Sequence, residues 1–139
     1  MSKRRKSREL ALQFLYQLDV NGAADATPYE LEFWAQQGPI DESTRHYGSE
    51  LVHGTKAHQT KIDELITQYT EHWELGRMSV VDRNILRLAV FELGWEHDVP
   101  PKVAINEAIE VAKKFGTRES GRFINGVLDR VHRELRPAS

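Results

Sequence analysis

Apolar residues recur at helical spacing along almost the whole chain, and no segment shows the sustained alternation that a β-strand needs. The first apolar set begins at Leu10 and continues in steps of three or four residues to Leu18. Strong helix-stopping residues separate the sets, at Asn21-Gly22, Gly38, Pro100-Pro101, Gly116 and Pro137. This pattern predicts an all-α fold of about seven helices.

Capping residues mark where several of these helices begin. Thr27 followed by Pro28 is typical of an N-cap and a first helical position. Ser79 with Asp82 three residues later resembles a capping box. We expect a further helix to begin near Asp41, so the helices are joined by short connections.

Length and composition exclude several classes of protein. A chain of 139 residues is long enough for one domain with its own core. Because it has no cysteine, disulfides, thiolate catalysis and cysteine-ligated zinc are excluded. No apolar run approaches the roughly 20 residues of a membrane span, and polar residues interrupt the segment after the basic N-terminus. We expect a cytoplasmic protein with no membrane association, one domain over residues 1–139, and a basic arm at 1–8.

Positive charge is concentrated at the N-terminus. Five of the first eight residues are basic, namely Lys3, Arg4, Arg5, Lys6 and Arg8. The formal net charge of the chain is −2, so the remainder without these five charges carries −7. A cationic pole on an acidic protein is typical of polyanion binding. The alternative is a disordered tail that only aids solubility.

The first predicted helix carries basic and aromatic residues outside its apolar face. Arg5, Leu12 and Tyr16 fall off that face, and Arg8 lies at its margin. Arginines neutralise phosphates, and an exposed ring can stack on an unpaired base for about 1–3 kcal/mol. Since unstacked bases belong mainly to single strands, the strip favours single-stranded nucleic acid. The alternative is that Tyr16 packs against a neighbouring helix and exposes only its hydroxyl.

The last and fifth predicted helices carry further candidates. On the last helix, Glu119 and Arg122 lie off the core face, and Phe123 lies at its edge. An edge aromatic residue belongs more often to the peripheral core than to a base-stacking site, so Phe123 alone favours core packing and leaves base stacking as the alternative. On the fifth helix, Arg83 and Arg87 lie opposite the core, one turn apart.

Metal and catalytic motifs are weak. His46, Glu50 and His53 could share one helix face, but no fourth ligand is evident and Gly48 and Gly54 weaken that helix. Solvated polar residues are therefore the favoured interpretation. The chain also lacks a phosphate-binding glycine loop and a G-x-S-x-G elbow.

One acidic residue falls inside an apolar face. Glu92 lies at the centre of the apolar side of the fifth predicted helix. A buried carboxylate needs a hydrogen-bond donor or a cation. We expect a structural role for Glu92, with backbone amides near Pro100 as candidate donors.

Three segments, "SRELALQFLYQLD", "RNILRLAVFEL" and "DVPPKVAINEAIEVAKKFGTRESGRFINGVLDRV", resemble the first helix, the fifth helix and the C-terminal half of the NusB family of bacterial transcription antitermination factors. The resemblance covers essentially the whole chain. It implies a helical fold of two small bundles, without a cofactor or catalysis. It also implies binding to single-stranded boxA RNA of nascent ribosomal transcripts, together with ribosomal protein NusE, within an RNA polymerase antitermination complex.

The resemblance further implies a set of site residues. The RNA-binding positions are Lys3, Arg4, Arg5, Lys6, Arg8, Tyr16, Arg87, Glu119, Arg122 and Phe123. Asp82 and Glu119 are acidic and cannot attract phosphate, so Asp82 is assigned to a protein partner and Glu119 to accepting from a base amine.

Two other functions stay open. A domain related to ribosomal RNA cytosine methyltransferases is opposed by the absence of a Rossmann-like segment and of cysteine. A purely protein-binding helical adaptor is the second alternative. The segment "ATPYELEFWAQQGPI" is the least similar to the family, which leaves the oligomeric state open between a monomer and a homodimer; in a homodimer, some of Tyr29, Phe33 and Trp34 would face the second subunit.

Overall fold

The computed structural model of the protein describes residues 2–70 and 75–135. These residues form seven α-helices and a short 3-10 turn at Leu75–Arg77, with no strand among them. The helices are α1 (Lys3–Val20), α2 (Thr27–Gln36), α3 (Glu42–Ala57), α4 (Gln59–Gln68), α5 (Val80–Trp95), α6 (Pro101–Phe115) and α7 (Ser120–Leu135). The predicted all-α fold is confirmed, while the predicted stop at Pro137 lies outside the described residues.

Helices α1, α2 and α3 form the first bundle. Phe14 of α1 stacks on Phe33 of α2 with ring centroids 4.4 Å apart, and Trp34 meets Phe33 edge-on at 5.1 Å. Phe33 and Trp34 are only 2% and 7% exposed, so they belong to the core and not to a subunit interface. Of Tyr29, Phe33 and Trp34, only Tyr29, which is 43% exposed, is available to a second subunit if the protein is a homodimer.

Helices α5, α6 and α7 form the second bundle, and α5 also packs against α1, α3 and α4. Because α5 is surrounded, every residue from 84 to 93 is buried. The arrangement of two small bundles joined through α5 is the one that the resemblance implied. None of the described helices combines the length and the apolar character that a membrane-spanning helix needs.

Helix α3 continues through Gly48 and Gly54, which were expected to weaken it. A Cβ atom at Gly48 would lie 2.8 Å from Cη2 of Trp34, and one at Gly54 would overlap the ring of Phe91. Each glycine costs a helix about 1 kcal/mol relative to alanine. Burial of one large aromatic ring contributes about 1.5–3 kcal/mol to stability. The ring packing that each glycine permits therefore more than offsets the helix-propensity cost of that glycine.

The N-terminal basic residues belong to α1 and do not form a separate arm. The side chain of Ser2 accepts a hydrogen bond from the backbone N–H of Arg5 at 3.1 Å, and the helix begins at Lys3. Leu12, which was expected off the core face, is 2% exposed. Since α3, α5 and α6 all pack around α1, its buried face is wider than its apolar spacing suggested.

Candidate nucleic-acid interface

Lys3 and Arg4 lie exposed on the first turn of α1 and make loose ion pairs. Nζ of Lys3 is 3.5 Å from Asp41, and Nη2 of Arg4 is 3.3 Å from Oδ2 of Asp98. The guanidinium of Arg4 also lies over the ring of Tyr47, 4.2 Å from its centroid. Such exposed pairs contribute at most about 1 kcal/mol, so both cations remain accessible to a phosphate.

Arg5 and Lys6 differ in how firmly the fold holds them. Arg5 donates to both carboxylate oxygens of Glu107, at 3.0 and 2.7 Å. These hydrogen bonds and the charge of Glu107 raise the pKa of Arg5. Lys6 is exposed, and its side chain has no ion-pair partner within residues 2–70 and 75–135. Lys6 is therefore free for an external anion, whereas Arg5 already has a carboxylate.

Arg8 lies inside the protein and not on the surface where RNA binding would place it. It is 4% exposed, and it donates to the two carboxylate oxygens of Glu92 at 2.7 and 2.9 Å. A third donor atom lies 3.3 Å from Glu107, and the Tyr47 hydroxyl donates to Glu92 at 2.6 Å. Arg8 thus joins α1 to α5 and α6. Glu92 has the predicted structural role, but these partners are side chains and not amides near Pro100.

Arg87 is also buried, at 7% exposure, so like Arg8 it does not lie on the surface where its predicted RNA contact would place it. It donates to both oxygens of Asp63 at 2.8 and 3.1 Å and to Asp19 at 3.0 Å. Arg83 donates to both oxygens of Asp19 at 2.7 and 2.8 Å. Burial alone would raise the pKa of Asp19, but these donors hold it at about 2. Arg87 therefore ties α5 to α1 and α4 and is not presented to a phosphate.

A cleft of about 260 Å³ lies between the start of α5 and the start of α7. Asp82, Glu119 and Phe123 line it together, so the structure brings together three residues that the resemblance selected. The Ser120 hydroxyl donates to Oδ1 of Asp82 at 2.7 Å, which fixes both side chains. Met78, which no motif marks, is a buried apolar part of the same lining.

The two candidate stacking residues lie on different helices, each one turn from a residue that contacts the start of α5. Tyr16 is 42% exposed on α1, whereas Phe123 is partly buried against the core. Asp19 lies one turn after Tyr16, and Ser120 one turn before Phe123. Both bond side chains in the first turns of α5. Arg122, next to Phe123, is exposed.

The residues at metal-like spacing on α3 do not converge. Nε2 of His53 lies 2.8 Å from Oε2 of Glu30, Glu50 lies beside Glu96, and His46 is exposed. No group of three histidine, aspartate or glutamate residues in the described ranges is arranged to hold a metal ion.

Comparison with known sequences decides the family, because the NusB family model matches residues 5–133. The chain belongs to the NusB family. A transcription antitermination protein NusB of Desulfosudis oleivorans is 50% identical over 137 residues, which cover 97% of this chain and 88% of that protein. The solved T. maritima NusB is 40% identical, with a TM-score of 0.87, over 96% of this chain and 93% of that one.

A second solved structure of the NusB family includes nucleic acid. It is described as the antitermination factors NusB and NusE in complex with double-stranded RNA. A chain of that complex is 27% identical to this one, with a TM-score of 0.85, over 96% of this chain and 98% of that one.

The carboxyl pair of this NusB-family protein predicts a pH-dependent stability. Burial, followed by the hydrogen bond and charge of Glu50, raises the pKa of Glu96 from 4.5 to about 7. Because the folded pKa is the higher one, folding disfavours the ionised form. The cost is absent below about pH 4.5, grows as pH rises and is complete above about pH 7.

We predict that Glu96→Gln raises the free energy of unfolding by about 1 kcal/mol at about pH 8, after allowance for solvent screening, and leaves it unchanged at about pH 4. Urea unfolding at the two pH values measures this difference. Glu64→Gln, at an exposed position of α4, is the matched control. An equal gain from Glu96→Gln at both pH values would show that the pair is not its cause.

Proposed function

We propose that this protein is a non-enzymatic transcription antitermination factor of the cytoplasm, acting as one RNA-binding domain over residues 1–139. In this proposal it binds single-stranded boxA RNA of nascent ribosomal transcripts with ribosomal protein NusE, in an RNA polymerase antitermination complex. The observation that carries it is the cleft where Asp82, Glu119 and Phe123 meet. The names of the relatives support the antitermination role, and a structural neighbour's complex of NusB, NusE and double-stranded RNA supports binding to NusE and to RNA.

Exposed cations supply the phosphate contacts in this proposal. Lys3, Arg4 and Lys6 project from the first turns of α1, and Arg122 is exposed on α7. Each neutralised phosphate releases counterions, which makes binding favourable and sensitive to salt. Arg5 contributes less because Glu107 holds it in a two-point ion pair.

The cleft and Tyr16 supply the base contacts. The rings of Tyr16 and Phe123 stack on unpaired bases, and the Glu119 carboxylate accepts from a base amine. Asp82 accepts a hydrogen bond from the Ser120 hydroxyl at the start of α7. In this proposal, the solvent-facing side of Asp82 contacts a protein partner. Base contacts of this kind carry the sequence preference, which phosphate contacts do not.

Arg8 and Arg87 act in this proposal as positioning residues. Arg8 fixes the first turns of α1 against α5 and α6, and Arg87 fixes the start of α5 against α1 and α4. The two arginines keep the cations of α1 and the cleft at the start of α5 in fixed positions relative to each other, without touching RNA.

Titration of fluorescent boxA RNA with the protein, alone and then with NusE, tests the proposal at two salt concentrations. Four phosphate contacts to a single strand predict a log–log salt slope of about −2.8. NusE is expected to tighten binding, and a duplex of the same sequence to bind more weakly than the single strand. Binding of NusE without any RNA binding would instead favour the helical adaptor, and preference for the duplex would overturn the single-strand assignment.

A further inference from the structure

The cations at the start of α1 are available to an external anion to different degrees. Lys6 is exposed and without an ion pair in the described part of the chain, and Arg5 is held at two points by Glu107. Arg4 lies between these extremes. One of its nitrogens donates to Asp98 at 3.3 Å, and the two side chains are 48% and 64% exposed.

Arg4 is held in place by something other than Asp98. Its guanidinium lies over the Tyr47 ring at 4.2 Å, and Tyr47 is 6% exposed and hydrogen-bonded to Glu92. A guanidinium can stack on a ring and still donate hydrogen bonds at its edge. Removal of Asp98 would therefore leave Arg4 in the same position with a free donor.

Asp98 accepts a hydrogen bond from Arg4 that a phosphate oxygen could accept instead. It follows α5 in the connection to α6, and its carboxylate contacts Arg4 across 94 residues of sequence. Glu50 lines the same groove, so the carboxylates of Glu50 and Asp98 both lie beside the basic start of α1. A phosphate that takes the Nη2 donor of Arg4 displaces the Asp98 carboxylate and, in the same groove, approaches that of Glu50.

We propose that Asp98 is an internal competitor of RNA phosphates for Arg4, and that it limits how strongly the start of α1 binds polyanions. This inference rests on the proposed function. Exposed ion pairs are weak, so the competitor is displaced by RNA that is also held by base contacts. Poly(U) gains less from Arg4, because uracil has no amine for Glu119 and so offers fewer base contacts to offset the displacement.

The test is Asp98→Asn, measured by anisotropy with fluorescent poly(U) at about 50 and about 200 mM salt. We expect about threefold tighter binding at the lower salt. The log–log slope for poly(U) should be steeper by about 0.7, because Arg4, which Asp98 holds in the wild type when base contacts are few, adds one phosphate contact. In an Arg4→Gln background, Asp98→Asn should give no gain.

Asp129→Asn is the matched control. It removes the same charge and frees Arg133 from an exposed pair of 2.8 Å on α7. We expect its affinity for poly(U) to stay at the wild-type value. Equal gains from Asp98→Asn and Asp129→Asn, a gain that persists in the Arg4→Gln background, or no gain at all would each overturn the inference.

A boxA oligonucleotide separates this inference from the proposed function. If the wild type binds boxA but Asp98→Asn binds poly(U) no more tightly, the inference alone fails. If the wild type shows no preference for boxA over poly(U), the proposed function fails, whatever Asp98→Asn does.

Discussion

We expect Glu92→Gln to lower the free energy of unfolding by about 3 kcal/mol, measured by urea denaturation near neutral pH. The Arg8 guanidinium would stay buried at 4% exposure but lose the carboxylate that it meets at 2.7 and 2.9 Å. Removal of one partner from a buried pair costs about 3–5 kcal/mol. The low end applies here because Glu107 stays 3.3 Å from the same guanidinium.

Two variants separate the charge from the hydrogen bonds of this site. Tyr47→Phe removes only the 2.6 Å hydrogen bond to Glu92 and should cost about 1 kcal/mol. Arg8→Met combined with Glu92→Leu removes both charges and should cost less than Glu92→Gln alone. A double variant as unstable as the single one would mean that side-chain packing, and not the unpaired charge, sets the cost.

The Arg8→Met, Glu92→Leu variant also tests whether Arg8 positions α1 or binds a phosphate. If Arg8 only positions α1, a folded Arg8→Met, Glu92→Leu protein keeps its salt slope whatever its affinity, because no phosphate contact is lost. If Arg8 leaves Glu92 to bind a phosphate, affinity falls and the slope becomes shallower by about 0.7. RNA binding and unfolding therefore give different readouts for the two roles.

Local sequence signals located the helices well because capping and helix-stopping residues act over a few positions. Ser79 caps α5 through the Asp82 amide, as its pattern predicted, whereas Pro101, expected to belong to the break, is the first residue of α6. Tyr16 is exposed as its spacing indicated. Each of these outcomes depends on residues within about one helical turn.

The partners of the arginines could not be predicted in the same way. A basic residue at the margin of a helix has the same spacing whether it meets a phosphate or a carboxylate from another helix. Arg8 finds Glu92 at a separation of 84 residues, and Arg87 finds Asp63 and Asp19 on two other helices. Glu92 in an apolar face signalled that a buried donor existed, but only tertiary packing identifies it.

We expect Tyr16→Ala to weaken binding of single-stranded boxA RNA by about 5- to 150-fold, the range that corresponds to about 1–3 kcal/mol for one stacked base. Tyr16 is 42% exposed, so its removal should hardly change the free energy of unfolding. Tyr29→Ala is the matched control, because this tyrosine is 43% exposed on α2 and lies outside the proposed interface.

Phe123 needs a gentler change because part of its ring packs against the core. Phe123→Leu retains most of the apolar volume but removes the planar ring, so we expect a folded protein with RNA binding weakened to a similar extent. Since stacking releases few counterions, both variants should keep the wild-type salt slope while their affinity falls. A shallower slope would assign the loss to phosphate contacts. If both variants bind RNA with wild-type affinity, the two rings are not part of the interface, and the cations of α1 and α7 account for binding.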